Sequence, residues 1–228
     1  MKRAIIFLIL LFGPYISSCQ NIDGVWMSYN NRVVNESEQY TSGQEGFILD
    51  FESKTLGHIS SDSIIKFKIN RYKIKIKELN QKVRIKVFGN DSIEFPPSGN
   101  MISVFRRLKL DNKTRYTKDE IVGFLTGNQF DTIYGLLDIE FSTDQYWIDK
   151  RFNEDKDRFD LINNTWNEPG YWYLKRIDDV YFLILNFSQI DEKHIYQILE
   201  VDKERMKLKP LQDGTFRPKQ LTELRIRL

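Results

Sequence analysis

The chain has 228 residues, with 34 Lys and Arg against 32 Asp and Glu, and its formal net charge is only +2. This near balance argues against general nucleic-acid binding, which needs a strong basic excess. Cys19 is the single cysteine, which excludes an internal disulfide, a CxxC redox pair and a thiolate metal site. The chain is long enough to bury a core, and that core alone must stabilise it.

The first 18 residues have the layout of a secretory signal peptide. Lys2 and Arg3 form a positive start, and the apolar stretch AIIFLILLF (residues 4–12) ends at Gly13-Pro14. As a helix this stretch would rise only about 14 Å, roughly half of a bilayer core. We therefore expect export through this segment, and not a transmembrane helix.

The segment ISSC at residues 16–19 resembles the lipobox of bacterial lipoproteins, with an aliphatic residue three positions before the cysteine and small residues between. The resemblance implies cleavage after residue 18 and acylation of Cys19. Several acyl chains would hold the protein stably on a membrane. Because Asp23 is the one acid in residues 20–23, we expect the periplasmic side of the outer membrane and not the cell surface.

Strand patterns dominate the first half of the chain. The segment RYKIKIK (residues 71–77) alternates strictly between apolar and basic residues, and KVRIKV (residues 82–87) repeats the pattern. Period two with opposite chemistry on the two faces predicts half-buried antiparallel strands. We predict eight short strands, about the number of a small closed barrel, over residues 24–29, 45–52, 55–60, 64–69, 71–78, 82–88, 91–95 and 101–108.

Gly24-Val25-Trp26 opens the first of these strands. It resembles the G-x-W motif that begins the first strand of lipocalins and of the lipocalin-like lipoproteins of Bacteroidetes-type bacteria. The resemblance implies a β-barrel in residues 19–110, with Trp26 as a plug at one end. It also implies an arginine of the last strand packed over Trp26, and Arg106 or Arg107 stands at that position. Stacking of a guanidinium on an indole ring is physically favourable.

Residues 111–228 read as a second domain. Thr117 and Glu120 have the spacing of a helix capping box, which predicts one short linking helix over residues 118–125. Beyond it the chain resembles a degenerate copy of the first half, since GFILDFES (residues 46–53) is echoed by GLLDIEFS (residues 135–142). We therefore expect an all-β fold of two lipocalin-like antiparallel β-barrel domains. Phe130 stands in place of the plug tryptophan, and Arg225 or Arg227 is its expected cap.

The densest group of aromatic residues lies in this second domain, around the end of a charged, Asn-rich segment (residues 149–169) that we expect to be an insertion. The following segment VYFLIL (residues 180–185) is apolar on both faces, so either the other domain or a partner chain must cover its outer face. A ligand site in this domain would use the aromatic residues Trp166, Tyr171, Trp172 and Tyr173. Packing of these rings in a core is the competing interpretation.

A basic stretch runs from Lys66 to Lys86, with nine Lys and Arg against one acid, Glu78. One interpretation is a solvated outer face that also discourages edge-to-edge pairing of strands. The other is a contact with an anionic partner such as lipid phosphates or acidic glycan.

The sequence contains no G-x-S-x-G elbow, P-loop or HExxH motif, and its two histidines, His58 and His194, are far apart. We therefore expect no enzymatic activity, no cofactor and no metal. The leading functional hypothesis is a lipid-anchored envelope protein that binds a small apolar or amphipathic ligand. The alternative is an envelope protein–protein interaction or inhibitor module. An open barrel cavity would favour the ligand, and a filled interior would favour the module.

Overall fold

The computed structural model describes residues 21–33, 40–41, 46–59, 63–78, 80–99, 101–110, 115–132, 139–145, 159–163, 168–187, 192–211 and 223–227. The expected signal peptide (residues 1–18), Cys19 and Trp166 lie outside these residues. The described part consists of two antiparallel sheets and one helix, so the all-β prediction is confirmed. No helix among the described residues is long and apolar enough to cross a membrane.

Ten strands of the first half form the first sheet. Alternation along the chain decides which side chains face inward: Phe67 and Ile74 are buried, whereas Lys68 and Lys75 are exposed. The strands are β1 (Val25–Val33), β2 (Tyr40–Thr41), β3 (Phe47–Asp50), β4 (Thr55–His58), β5 (Ile64–Asn70), β6 (Lys73–Ile76), β7 (Gln81–Arg84), β8 (Lys86–Phe88), β9 (Ser92–Glu94) and β10 (Met101–Arg107).

The two ends of this sheet meet in residues 81–88. β7 pairs with β6, β8 pairs with β9, and only Ile85 separates β7 from β8. The Ile85 amide donates to the carbonyl of Tyr72 at 2.9 Å. With β7 and β8 counted as one strand and β2 set aside, eight strands follow one another around a nearly closed barrel. This up-and-down order is that of a lipocalin-like barrel, as the sequence predicts.

The second sheet is curled and repeats this strand order, but it is open at one seam. Its eight strands are β11 (Phe130–Thr132), β12 (Ile139–Gln145), β13 (Phe159–Asn163), β14 (Glu168–Ile177), β15 (Val180–Phe187), β16 (Glu192–Val201), β17 (Arg205–Pro210) and β18 (Glu223–Ile226). In the first barrel, β1 pairs with both β3 and the last strand, β10. The corresponding strand β11 pairs with the last strand, β18, and within the described residues it does not pair with β12.

The linking helix α1 (Lys118–Thr126) begins at the predicted capping box. The Glu120 amide donates to Thr117 Oγ1 at 3.3 Å, and the Thr117 amide donates to Glu120 Oε2 at 2.7 Å. Hydrogen bonds from Thr117 hold the pKa of Glu120 below its usual value. Ile121 and Leu125 are fully buried in the core of the second sheet, and the helix contacts β12. The helix therefore packs beside the open seam.

Apolar side chains of the described residues form three buried clusters. The first fills the barrel around Trp26 and Phe67, and the second fills the concave side of the second sheet around Trp172 and Leu183. The third, which we call the inter-sheet cluster, joins the outer faces of the two sheets. It consists of Val25, Met27, Ile59 and Leu108 from the first half and Tyr173, Val180, Phe182, Ile184 and Ile195 from the second.

The inter-sheet cluster explains why residues 180–185 are apolar on both faces. Leu183 and Leu185 point into the concave core of the second sheet, whereas Phe182 and Ile184 belong to the inter-sheet cluster. The sequence left open whether the other domain or a partner chain covers the outer face of this strand. In the structure, the first domain covers it.

We predict that Phe182→Ala lowers the free energy of unfolding by about 3–5 kcal/mol, because the ring is fully buried in the inter-sheet cluster. Chemical denaturation followed by circular dichroism measures this change. Ile64→Ala is the control, since Ile64 is 64% exposed and its truncation should cost less than about 1 kcal/mol. The cluster should also make both sheets unfold together, and two separate transitions would contradict that role.

Candidate functional site

Trp26 lies near the start of β1, at one end of the first barrel. Its side chain is fully buried, and its Nε1 donates to the carbonyl of Ile22 at 2.9 Å. Arg107 lies opposite it in the β1–β10 register, with the guanidinium carbon 4.6 Å from the ring centroid. Gly24 has a φ of +98°, a backbone conformation that glycine adopts without a steric penalty. Arg106 lies instead over the Tyr29 ring, also at 4.6 Å, so the residue stacked on Trp26 is Arg107.

Arg107 also holds together the chain segments at this end, which we call the plugged end. Its Nε donates to the carbonyl of Asn90, in the turn between β8 and β9, at 2.7 Å. Its Nη1 and Nη2 donate to the carbonyls of Asp23 and Asn21. Because these acceptors belong to the segment before β1, the arginine fixes the place where the chain enters the barrel.

At the corresponding register position, the described residues of the second sheet have no arginine. Phe130 is buried in the concave core, and its partner in the β11–β18 register is Ile226. Arg225 is one residue earlier, lies opposite Asp131 and donates to Glu223 at 2.7 Å. The β11–β18 register therefore places Ile226, and neither arginine, directly opposite Phe130.

The aromatic residues proposed for a ligand site lie on two opposite faces of β14. Trp172 is fully buried in the concave core, where its Nε1 donates to the Ser142 carbonyl at 3.0 Å. Tyr171 and Tyr173 stack on the other face, with ring centroids 6.1 Å apart, and Tyr173 belongs to the inter-sheet cluster. Trp166 lies outside the described residues. The sheet therefore separates Trp172 from the two tyrosines.

Asp160 of β13 lies opposite Tyr171 in the β13–β14 register. Burial raises the pKa of Asp160, and repulsion from the Asp144 carboxylate raises it further. The folded state therefore holds this proton more tightly than the unfolded state does. It follows that the stability contributed by Asp160 is lost as the pH rises through the pKa of the folded state.

The basic stretch of the sequence becomes a continuous surface on β5, β6, β7 and β8, which we call the basic wall. Like charges lie directly opposite one another: Lys68 pairs with Lys75, Lys75 with Lys82, and Lys73 with Arg84. All nine basic side chains are exposed: Lys66, Lys68, Arg71, Lys73, Lys75, Lys77, Lys82, Arg84 and Lys86. None of them forms an ion pair with an acid among the described residues.

The basic wall lies on the side of the barrel that faces away from the second sheet. The inter-sheet cluster uses Val25 and Met27 of β1. β6, in the middle of the basic wall, is four strands from β1 in either direction around the eight-stranded ring. Because β6 is also paired on both sides, its lysines do not serve to protect a sheet edge.

The described residues contain no group of three or more side chains that could ligate a metal. His58 lies edge-on to the Phe47 ring at a centroid distance of 5.3 Å, and His194 lies in β16 of the other sheet. Comparisons with protein-family models, with curated proteins and with solved structures found no match to this chain. Within the described part of the chain, the basic wall is the candidate functional site.

We predict that Arg107→Ala lowers the free energy of unfolding by about 2 kcal/mol, because both the ring stack on Trp26 and the hydrogen bonds at the plugged end are lost. Urea denaturation measures the change. Arg106→Ala is the matched control: it removes the contact with the Tyr29 ring and should cost less than about 1 kcal/mol. Equal losses in the two variants would contradict a special role of Arg107.

Proposed function

We propose that this protein is a lipid-anchored, non-enzymatic interaction module of the bacterial cell envelope, held on the periplasmic side of the outer membrane. The basic wall is its contact surface. The sequence led to two hypotheses, a carrier of a small ligand and, as the alternative, a protein–protein interaction or inhibitor module. The proposal adopts the alternative. The carrying observation is the direct opposition of like charges on adjacent strands, such as Lys73 with Arg84 and Lys75 with Lys82.

Like charges directly opposite each other destabilise a sheet. Lys86 lies opposite Glu94 in the β8–β9 register, but none of the nine cations forms an ion pair with an acid among the described residues. An external anion is therefore the natural counter-charge. Nine exposed cations on neighbouring strands present that anion with a broad surface and not with a single point charge. This arrangement suits an extended anionic partner.

The packing of the barrel interior also favours an interaction module over a small-ligand carrier. The Trp26 and Phe51 rings meet edge-on with their centroids 6.2 Å apart, and the Phe51 and Phe67 rings do so at a centroid distance of 5.6 Å. Consecutive rings therefore occupy the barrel interior. Ile74 and Ile93 are fully buried beside them in the same cluster. An eight-stranded barrel is just wide enough for side chains to fill it.

We predict that wild-type protein from its own cells carries acyl chains on Cys19, since ISSC at residues 16–19 has the spacing of a lipobox. Mass spectrometry of the amino-terminal peptide and detergent partitioning measure this. Cys19→Ser should remain uncleaved or fractionate as a soluble protein. If both proteins partition alike and the wild type has no acyl mass, the anchor part of the proposal fails.

We predict that a photo-crosslinking amino acid placed at Lys75 forms adducts in living cells, because this position is central in the basic wall. The matched control replaces Lys209, an exposed lysine on β17 of the second sheet, and should give few adducts. Mass spectrometry identifies each adduct as lipid, glycan or protein. Equal labelling at both positions would contradict a specific contact at the basic wall. A small-molecule mass that the purified protein retains in native mass spectrometry would favour the ligand-carrier function.

A further inference from the structure

We infer that the basic wall, together with Phe88 at its lower end, rests against the phosphate-bearing headgroups of the membrane that carries the anchor. This inference deepens the proposed function and rests on it, because it requires a lipid anchor at Cys19. It names lipid phosphates as the anionic partner.

The plugged end lies close to the anchor. Arg107 donates to the carbonyls of Asn21 and Asp23, and Ile22 accepts from the Trp26 ring nitrogen. The entering chain is therefore held against the barrel from Asn21 onward. Cys19 is only two residues earlier, and two extended residues span about 7 Å. An acylated Cys19 would thus keep the plugged end at the membrane surface.

The basic wall extends down to this end along one face of residues 81–88. Side chains two residues apart share a face of a strand, and Lys82, Arg84, Lys86 and Phe88 are all exposed. Phe88 is 50% exposed and directly precedes the β8–β9 turn, whose Asn90 carbonyl is bonded to Arg107. The sequence of side chains from mid-barrel to the plugged end is therefore three cations followed by an aromatic ring.

This combination matches the chemistry of a headgroup layer. Lysine and arginine near an anionic bilayer are attracted to it within about a Debye length, and an apolar ring inserts at the boundary with the acyl chains. An anchor at the plugged end also keeps the membrane permanently within reach of the wall, which raises its effective concentration above that of any free partner.

The charges at the plugged end indicate how the barrel is oriented. Outside the wall, this end exposes the acids Asp23, Glu52 and Asp91 and the cation Lys54. An anionic surface would repel this excess of acids. The side wall of β5 to β8 is basic. The barrel therefore leans on its basic side, and the second sheet, which packs against the opposite side, faces away from the membrane.

The test uses a chain of residues 20–228, which lacks the acylated cysteine and keeps every described residue. We expect it to bind vesicles of phosphatidylcholine with phosphatidylglycerol and to ignore pure phosphatidylcholine. Combined Lys73→Gln, Lys75→Gln and Arg84→Gln should weaken this binding about a hundredfold, because each cation near the surface contributes about fivefold. The matched control, with Lys109→Gln, Lys203→Gln and Lys209→Gln, removes three exposed lysines outside the wall and should bind like the wild type.

A second measurement reports orientation. The chain of residues 20–228 has no cysteine, so Phe88→Cys introduces a single thiol for a spin label. On anionic vesicles this label should become protected from an aqueous quencher. A label at Ser98→Cys, in the β9–β10 turn at the other end of the barrel, should remain accessible.

Equal affinity of the triple variant and the wild type, or equal binding to both kinds of vesicle, would overturn the inference. Binding to soluble polyglutamate and not to vesicles would also overturn it, and would assign the wall to an acidic polypeptide. Neither outcome decides the proposed function, since protein adducts at position 75 and acylation of Cys19 are measured separately.

Discussion

Burial of β15 on both of its faces joins the two halves of the molecule. Leu183 and Leu185 belong to the concave core of the second sheet, and Phe182 and Ile184 meet the outer face of the first barrel. With one cysteine in the whole chain, no internal disulfide can supplement this contact. Apolar burial must therefore determine how the two curled sheets pack.

This packing gives the first barrel two chemically different sides. On one side, Val25, Met27 and Leu108 present apolar groups outward, where the second sheet covers them. On the other side, four strands around the ring, the outward residues are cations. One side of the barrel is thus buried by the second sheet, whereas the basic wall stays exposed.

The two domains share a strand order but differ at the ends of their barrels. At matching positions of the first and last strands, the first domain has Trp26 opposite Arg107, and the second has Phe130 opposite Ile226. Arg107 also donates hydrogen bonds to the carbonyls of Asp23 and Asn21 in the segment before β1. These bonds orient the chain where it enters the barrel. The apolar pair belongs to a core that α1 helps to fill, beside the open seam.

The sequence by itself determined most strands of the first barrel, the alternating faces of residues 71–77 and 82–87 and the capping box of α1, because these follow from local periodicity and spacing. It did not predict β2 or the extension of β1 to Val33. It did not reveal β13, Phe159–Asn163, inside a segment whose charged and Asn-rich composition indicates an insertion. It also grouped Trp172 with Tyr171 and Tyr173, which β14 places on opposite faces. Only the tertiary structure decided which partner covers β15 and which residue lies opposite Phe130. Alternation of apolar and polar residues specifies which face of a strand is apolar. Which element packs on that face, and in which register the strand pairs, depend on residues far away in the chain.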